Sequence, residues 1–254
     1  MPVSSLILLI LLFFMTSIIG VVTGSNSLIT VPVMFQFGID EKVAVATNMF
    51  GLTFMSIGGA IPFIRKGKIE YRKLSPLIIL TIISSALGAV LVGLITNQSL
   101  KLIVSIAMIA VAAFTIVKRN PAAVTSKDTP LSAFVITFIL TFLLGIYGGM
   151  YSGGYVTILT AVFVAFFGMS FTEAIGSTKL INVFSSLVAT IVFIWQRLVD
   201  YKLGAILAVT MFIGAYVGAH YATKMNDLWL KRIFLATVFL LAIKTLYDLS
   251  GVLR

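Results

Sequence analysis

Apolar runs alternate with short polar connections along the whole chain. Eight runs are long: Val3 to Val22, Val43 to Ile64, Leu74 to Ile95, Leu100 to Val117, Leu131 to Gly149, Ala174 to Trp195, Leu203 to Ala222 and Leu230 to Leu249. Each is near the ~20 residues that carry a helix across a ~30 Å hydrocarbon core. Two further runs are shorter, Ser27 to Gly38 and Tyr155 to Gly168, and each follows a break rich in glycine and serine. They read either as re-entrant half-helices, tolerated where they are buried in protein or line a cavity, or as short tilted spans. The pattern predicts an all-α polytopic membrane protein with about eight long transmembrane helices plus two short segments. The N-terminal run lacks a basic leader and a small-x-small cleavage site, so it reads as a retained first helix.

Composition agrees with that class. Hydrophobic residues make up 60% of the 254 positions and charged ones only 10%, against the roughly 25% charged residues of soluble domains. The net charge of +10 does not point to nucleic acid, because the charges lie between apolar runs, where they orient a membrane protein. With no cysteine and one histidine, His220, thiolate and polyhistidine metal sites are excluded. No cofactor is implied.

The two halves resemble each other at an offset of 130 residues. "GIDEKVAVATN" (Gly38–Asn48) lies on "GMSFTEAIGST" (Gly168–Thr178), and "IEY" (Ile69–Tyr71) on "VDY" (Val199–Tyr201). The chain therefore divides into a first membrane repeat, 1–117, a linker loop, 118–130, and a second membrane repeat, 131–254. Eight spans make the halves parallel and ten make them inverted. Basic residues concentrate on one side of an eight-span arrangement, which is the reading taken here, with both termini in the cytoplasm.

Polar residues inside the apolar runs form two constellations. The first is the pair of breaks: Gly24, Ser25, Asn26 and Ser27 in one half, Gly149, Ser152, Gly153 and Gly154 in the other. A helix that starts after such a break directs free N–H groups at whatever lies there and attracts anions. Close helix packing through small-xxx-small spacing is the alternative. The second is Thr47 and Asn48, matched by Ser177, Thr178 and Lys179, with Asn182 one turn on. An isolated lysine at the centre of a membrane helix costs about 2.5–3.5 kcal/mol. It is offset by snorkelling to the interface, by pairing with Glu173, or by an anionic guest held inside the bundle.

These motifs carry a resemblance. A glycine-bearing break followed by "VP", then "G-x-x-x-x-x-A-x-A-T-N", repeated as "S-T-K-L-I-N-x-x-S", is similar to the TauE/SafE, or sulfite exporter, family of permeases. The resemblance implies a transporter of small sulfur-containing anions, such as sulfite or organosulfonates, in the cytoplasmic membrane of a prokaryote. Two departures stand out: the first break is "GSNS" (Gly24 to Ser27) rather than a run of glycines, and Met49 stands where the family often has a second lysine. The expected partners are a small anionic solute and the lipid bilayer, with homo-oligomer formation left open. A membrane-embedded enzyme finds no support in the motifs, since no His-Glu-x-x-His, no paired intramembrane carboxylates and no Gly-x-Ser-x-Gly occur. A non-transporting scaffold would leave the matched polar breaks unexplained.

Overall fold

The computed structural model describes residues 3–24, 26–106, 131–233 and 236. The regular structure of those residues is all helical, with short turns between the helices. The order is α1 (Val3–Thr23), α2 (Ser27–Gln36), α3 (Glu41–Arg65) and α4 (Tyr71–Leu94), then α5 over residues 97–106. The second half continues with α6 (Leu131–Met150), α7 (Tyr155–Phe166), α8 (Phe171–Trp195) and α9 (Tyr201–Ala222), then α10 over residues 227–233. Six helices among the described residues are long and apolar enough to cross a membrane: α1, α3, α4, α6, α8 and α9. The expected spans Leu100–Val117 and Leu230–Leu249 lie largely outside the described residues, as does the 118–130 linker.

Local chemistry fixes the helix ends. Asp40 accepts hydrogen bonds from the N–H groups of Lys42 and Val43 and so starts α3. Ser170 and Glu173 form a reciprocal capping box at the start of α8. This occupies Glu173 at the helix end, away from Lys179. In α4, Pro76 cannot donate to the carbonyl of Arg72; the Ser75 hydroxyl donates there instead, at 3.3 Å.

The 130-residue offset recurs in the backbone. α3 and α8 each span 25 residues, with ends 130 apart. The left-handed residues pair in the same way: Gly24 (φ 71°) with Gly154 (φ 80°), Gly38 (φ 75°) with Gly168 (φ 68°), and Gly67 (φ 61°) with Arg197 (φ 59°). Such conformations are uncommon outside glycine, so three coincidences at one offset are strong evidence of related backbones. Packing repeats too: α1 and α3 pack on α9, while α6 and α8 pack on α4.

Helix directions follow from which residues meet. α3 and α9 run parallel, because a Cβ on Gly51 would reach Leu207 and Met211, one on Gly58 would reach Phe212, and one on Gly59 lies near Ala215. α1 also runs parallel to α9, with Phe14 against Gly214 and Ile18 against Gly218. α3 and α8 are antiparallel: Phe63 lies against Gly176, Ser56 against Asn182 and Thr53 against Thr190. The parallel halves that eight spans required therefore do not fit, since counterpart helices point in opposite directions. The physical reason is the path of α1 and α2. A four-residue turn separates α2 from α3 and makes them antiparallel, so α1 and α2 form a helix–break–helix hairpin. The last turn of α1 stops beside Met55 and Gly59 of α3 and beside Lys179 of α8, within the depth of those helices.

Candidate functional site

The two breaks meet each other. Thr157 Oγ1 donates to the carbonyl of Thr23 at 2.6 Å, and Tyr151 Oη donates to the carbonyl of Ser27 at 2.9 Å. The approach is tight at Gly24, where a Cβ would come within 2.7 Å of the Thr157 backbone nitrogen in a backbone already at positive φ. Only glycine satisfies both demands.

A cavity of about 10 Å³ lies where the breaks meet α3 and α8. It is lined by Gly20, Gly24, Asn26, Ser27, Leu52, Met55, Ser152, Val156, Lys179 and Asn182. Six of the residues singled out from the sequence thus converge on one space: Gly24, Asn26, Ser27, Ser152, Lys179 and Asn182. α2 begins at its wall, and the first turn of α7 contributes Val156. Helix starts carry partial positive charge.

Lys179 is 2% exposed, which rules out snorkelling to an interface. Its ammonium donates to the Gly20 carbonyl at 3.0 Å. That carbonyl belongs to the last turn of α1, where the helix dipole is negative, so the location suits a cation. Among the described residues Lys179 forms no ion pair; the ion pairs there are Lys73–Glu70 and Lys101–Glu41. An ammonium has three donors, and the carbonyl engages one.

Asn182 Nδ2 donates to Ser56 Oγ at 2.6 Å, which ties the cavity wall of α8 to α3. Asn26 Nδ2 faces the Met55 sulfur at 3.4 Å, and its Oδ1 is buried with no hydrogen-bond partner among the described residues. Asn48 stands one layer behind. Its Nδ2 donates to Ser27 Oγ at 2.9 Å, and its Oδ1 accepts from Thr30 Oγ1 at 2.8 Å. Asn48 therefore fixes the start of α2 rather than lining the cavity.

Other sequence-selected residues lie elsewhere. Thr178 pairs with Thr160 at 3.1 Å, the counterpart of the Asn48–Thr30 pair at the same offset. Thr47 Oγ1 accepts the backbone N–H of Asp200 at 3.0 Å. Ser177 is buried and its hydroxyl has no partner among the described residues. Gly149 is a packing glycine, since a Cβ there would come within 2.1 Å of the Ser85 carbonyl oxygen. Gly153 lies under the Tyr151 ring and its carbonyl accepts from Tyr147 Oη. Gly154 is the left-handed residue that starts α7. Ser25 lies outside the described residues. The apolar wall of Leu52, Met55 and Val156 carries no polar signature that would mark it in the sequence, and Gly20 contributes a backbone carbonyl that side-chain chemistry does not reveal.

Comparison with known proteins agrees with this architecture. Residues 9–245 match the model of the family described as "Sulfite exporter TauE/SafE". A "Probable membrane transporter protein ORF9" of Sinorhizobium sp. is 28% identical, over 95% of this chain and 92% of its own length. "Probable membrane transporter protein YfcA" of Escherichia coli K12 is 24% identical over 96% and 92% of the two chains. A "Probable membrane transporter protein" of Haemophilus influenzae is 22% identical over 92% of each. With its apolar helices and a match spanning nearly its whole length, this multi-pass membrane protein belongs to the sulfite exporter TauE/SafE family.

Proposed function

We propose that the protein is a secondary transporter of small sulfur-containing anions, sulfite or organosulfonates, across the prokaryotic cytoplasmic membrane. The observation that carries this reading is a buried ammonium with no acidic partner among the described residues, facing a cavity where two interrupted segments meet. Two ammonium donors and two helix starts are left for a guest, and that guest must bring negative charge and acceptor oxygens. Chemistry on the solute is not indicated, because nothing beside Lys179 forms a nucleophile–base pair.

The mechanism we infer is alternating access between two inverted repeats. Antiparallel counterpart helices, paired left-handed residues and a cavity shared by counterparts support it. Asn26 and Val156 are 130 residues apart, as are Leu52 and Asn182, and all four line the same space. That is the expected place for a site on a pseudo-two-fold axis in the membrane plane. A cavity near 10 Å³ holds about one water, which is too little for an oxyanion. On this reading the anion enters only when the halves move apart.

The test is flux in liposomes holding the purified chain, with labelled sulfite, a small sulfonate, thiosulfate and chloride, with and without a pH gradient. Sulfur oxyanions should exchange and chloride should compete weakly. Lys179→Met should abolish flux while the protein remains folded. Full flux in Lys179→Met, or none for any sulfur anion in the parent, overturns the reading.

A further inference from the structure

One contact near the start of α3 has no equivalent near the start of α8, although the groups to make it are present. At the 130-residue offset Thr47 corresponds to Ser177, and Asp200 to Glu70. Thr47 is the seventh residue of α3 and Ser177 the seventh of α8. Thr47 Oγ1 accepts the Asp200 N–H at 3.0 Å, which ties α3 to the turn before α9. Ser177 is just as buried, at 1% exposed, yet among the described residues its hydroxyl has no hydrogen-bond partner. Buried hydroxyls are normally satisfied, so an orphan requires a reason. Glu70 precedes α4 as Asp200 precedes α9, but it does not cap its helix, and its carboxylate pairs with Lys73 at 2.7 Å in solvent.

The two positions lie on opposite faces of the bundle. α3 begins where α9 begins, whereas α8 begins where α3 ends, because α3 and α8 are antiparallel. Packing follows the same bias: α3 meets α9 over a more extensive contact than α8 makes with α4.

We propose that Thr47–Asp200 and Ser177–Glu70 are the two latches of a two-position switch. The first latch is engaged in this structure and closes the face where α3 begins. When that face opens, the Glu70 N–H moves onto Ser177 Oγ and closes the opposite face. The orphan hydroxyl is then the vacant half of the second latch. This inference rests on the two-sided transport reading but not on the identity of the solute.

The native chain has no cysteine, so engineered pairs report without background. In the full-length protein in liposomes, Thr47→Cys with Asp200→Cys, and separately Ser177→Cys with Glu70→Cys, should each form a disulfide on mild oxidation. Each disulfide should abolish flux, and reduction should restore it. In the fourfold variant, mass spectrometry should find one disulfide or the other in a molecule, never both. Ser177→Ala removes the orphan, so it should raise thermal stability while lowering flux. Three outcomes overturn the switch. One is a Ser177–Glu70 pair that never cross-links while the first pair does: Gly51, Gly58 and Gly59 have Ile181, Val188 and Ala189 as counterparts, and the second crossing would then be permanently looser. The others are both disulfides in one molecule, and Ser177→Ala lowering stability. Cross-linking is read without solute, so a wrong solute class leaves this result intact. Exchange of the latches with no anion flux would instead overturn the transport reading alone.

Discussion

The two halves place turns and helix ends at one offset and differ in chemistry. Their left-handed residues, breaks and helix ends coincide at one offset, yet the charge is on one side only: Lys179 in α8 has Met49 as its counterpart in α3. Asn182 likewise stands opposite Leu52, and Asn26 opposite Val156, across the same cavity. Geometry that requires special φ values is kept in both halves, since losing it in one would destroy the hairpin there. The counterpart pairs that line the shared cavity, Asn26 with Val156 and Asn182 with Leu52, each have one polar and one apolar member. The result is a lopsided site, with a polar wall and an apolar one.

Restoring the missing charge is the strongest way to disturb that comparison. Met49 is 1% exposed, so Met49→Lys buries a second cation in the same bundle. It should destabilise the solute-free protein by about 2.5–3.5 kcal/mol, and a divalent oxyanion should recover much of that loss. Thermal melts in detergent, with and without sulfite, measure both effects. An unchanged melting temperature without solute would mean that position 49 reaches water and that the halves are less alike than their backbones suggest.

The supports behind the cavity form the next comparison. Asn48 makes two side-chain hydrogen bonds to α2, whereas its counterpart Thr178 makes one to α7. Asn48→Ala leaves Ser27 short of a partner, while Thr30 keeps its bond to the Asn26 carbonyl at 3.2 Å, and should cost about 2 kcal/mol, with Thr178→Val nearer 1 kcal/mol. Equal losses in denaturation would show that α2 is not held more firmly than α7.

Helix crossings differ as well. A Cβ on Gly58 would come within 2.5 Å of the Phe212 carbonyl, while the counterpart Val188 is half-buried. Gly58→Ala should destabilise by roughly 1–3 kcal/mol through overpacking. Val188→Ala should cost less than about 1.5 kcal/mol. If both changes prove neutral in melts, the α3–α9 crossing has slack and the asymmetry of the two crossings is not built into these residues.

Much of this was legible from the chain, and the remainder failed for identifiable reasons. The run Val43–Ile64 became α3, Glu41–Arg65, and Ala174–Trp195 became α8, Phe171–Trp195. Of the missing residues, Glu41, Lys42, Thr172 and Glu173 are first-turn positions too polar to join an apolar run, Phe171 is cut off behind them, and Arg65 is a charged last residue. Hydropathy cannot show whether α1 passes through or turns back at Gly24, and the direction of every later helix depends on that turn. Lys179, Asn182 and Asn26 were readable because a polar group in an apolar helix needs a partner. Thr47 and Ser177 were grouped with the site because they adjoin Asn48 and Thr178 in sequence. Adjacent helical residues do not share a face, and both point away from the cavity.

The smallest contrast lies at the helix starts that the latches use. Asp200 accepts from the N–H groups of Lys202 and Leu203 at 3.0 and 3.1 Å, while Glu70 gives α4 no such cap. Asp200→Ala should cost about 1 kcal/mol, the usual worth of a helix cap. Glu70→Ala removes only an exposed pair with Lys73 and should stay within about 0.5 kcal/mol. Because the cap and the N–H that reaches Thr47 belong to the same residue, loss of the cap should loosen the Thr47 contact beyond the stability cost. Hydrogen exchange at the α9 start should therefore rise in Asp200→Ala and stay unchanged at the α4 start in Glu70→Ala. Matching exchange at the two starts would mean that the cap contributes nothing to holding that face closed.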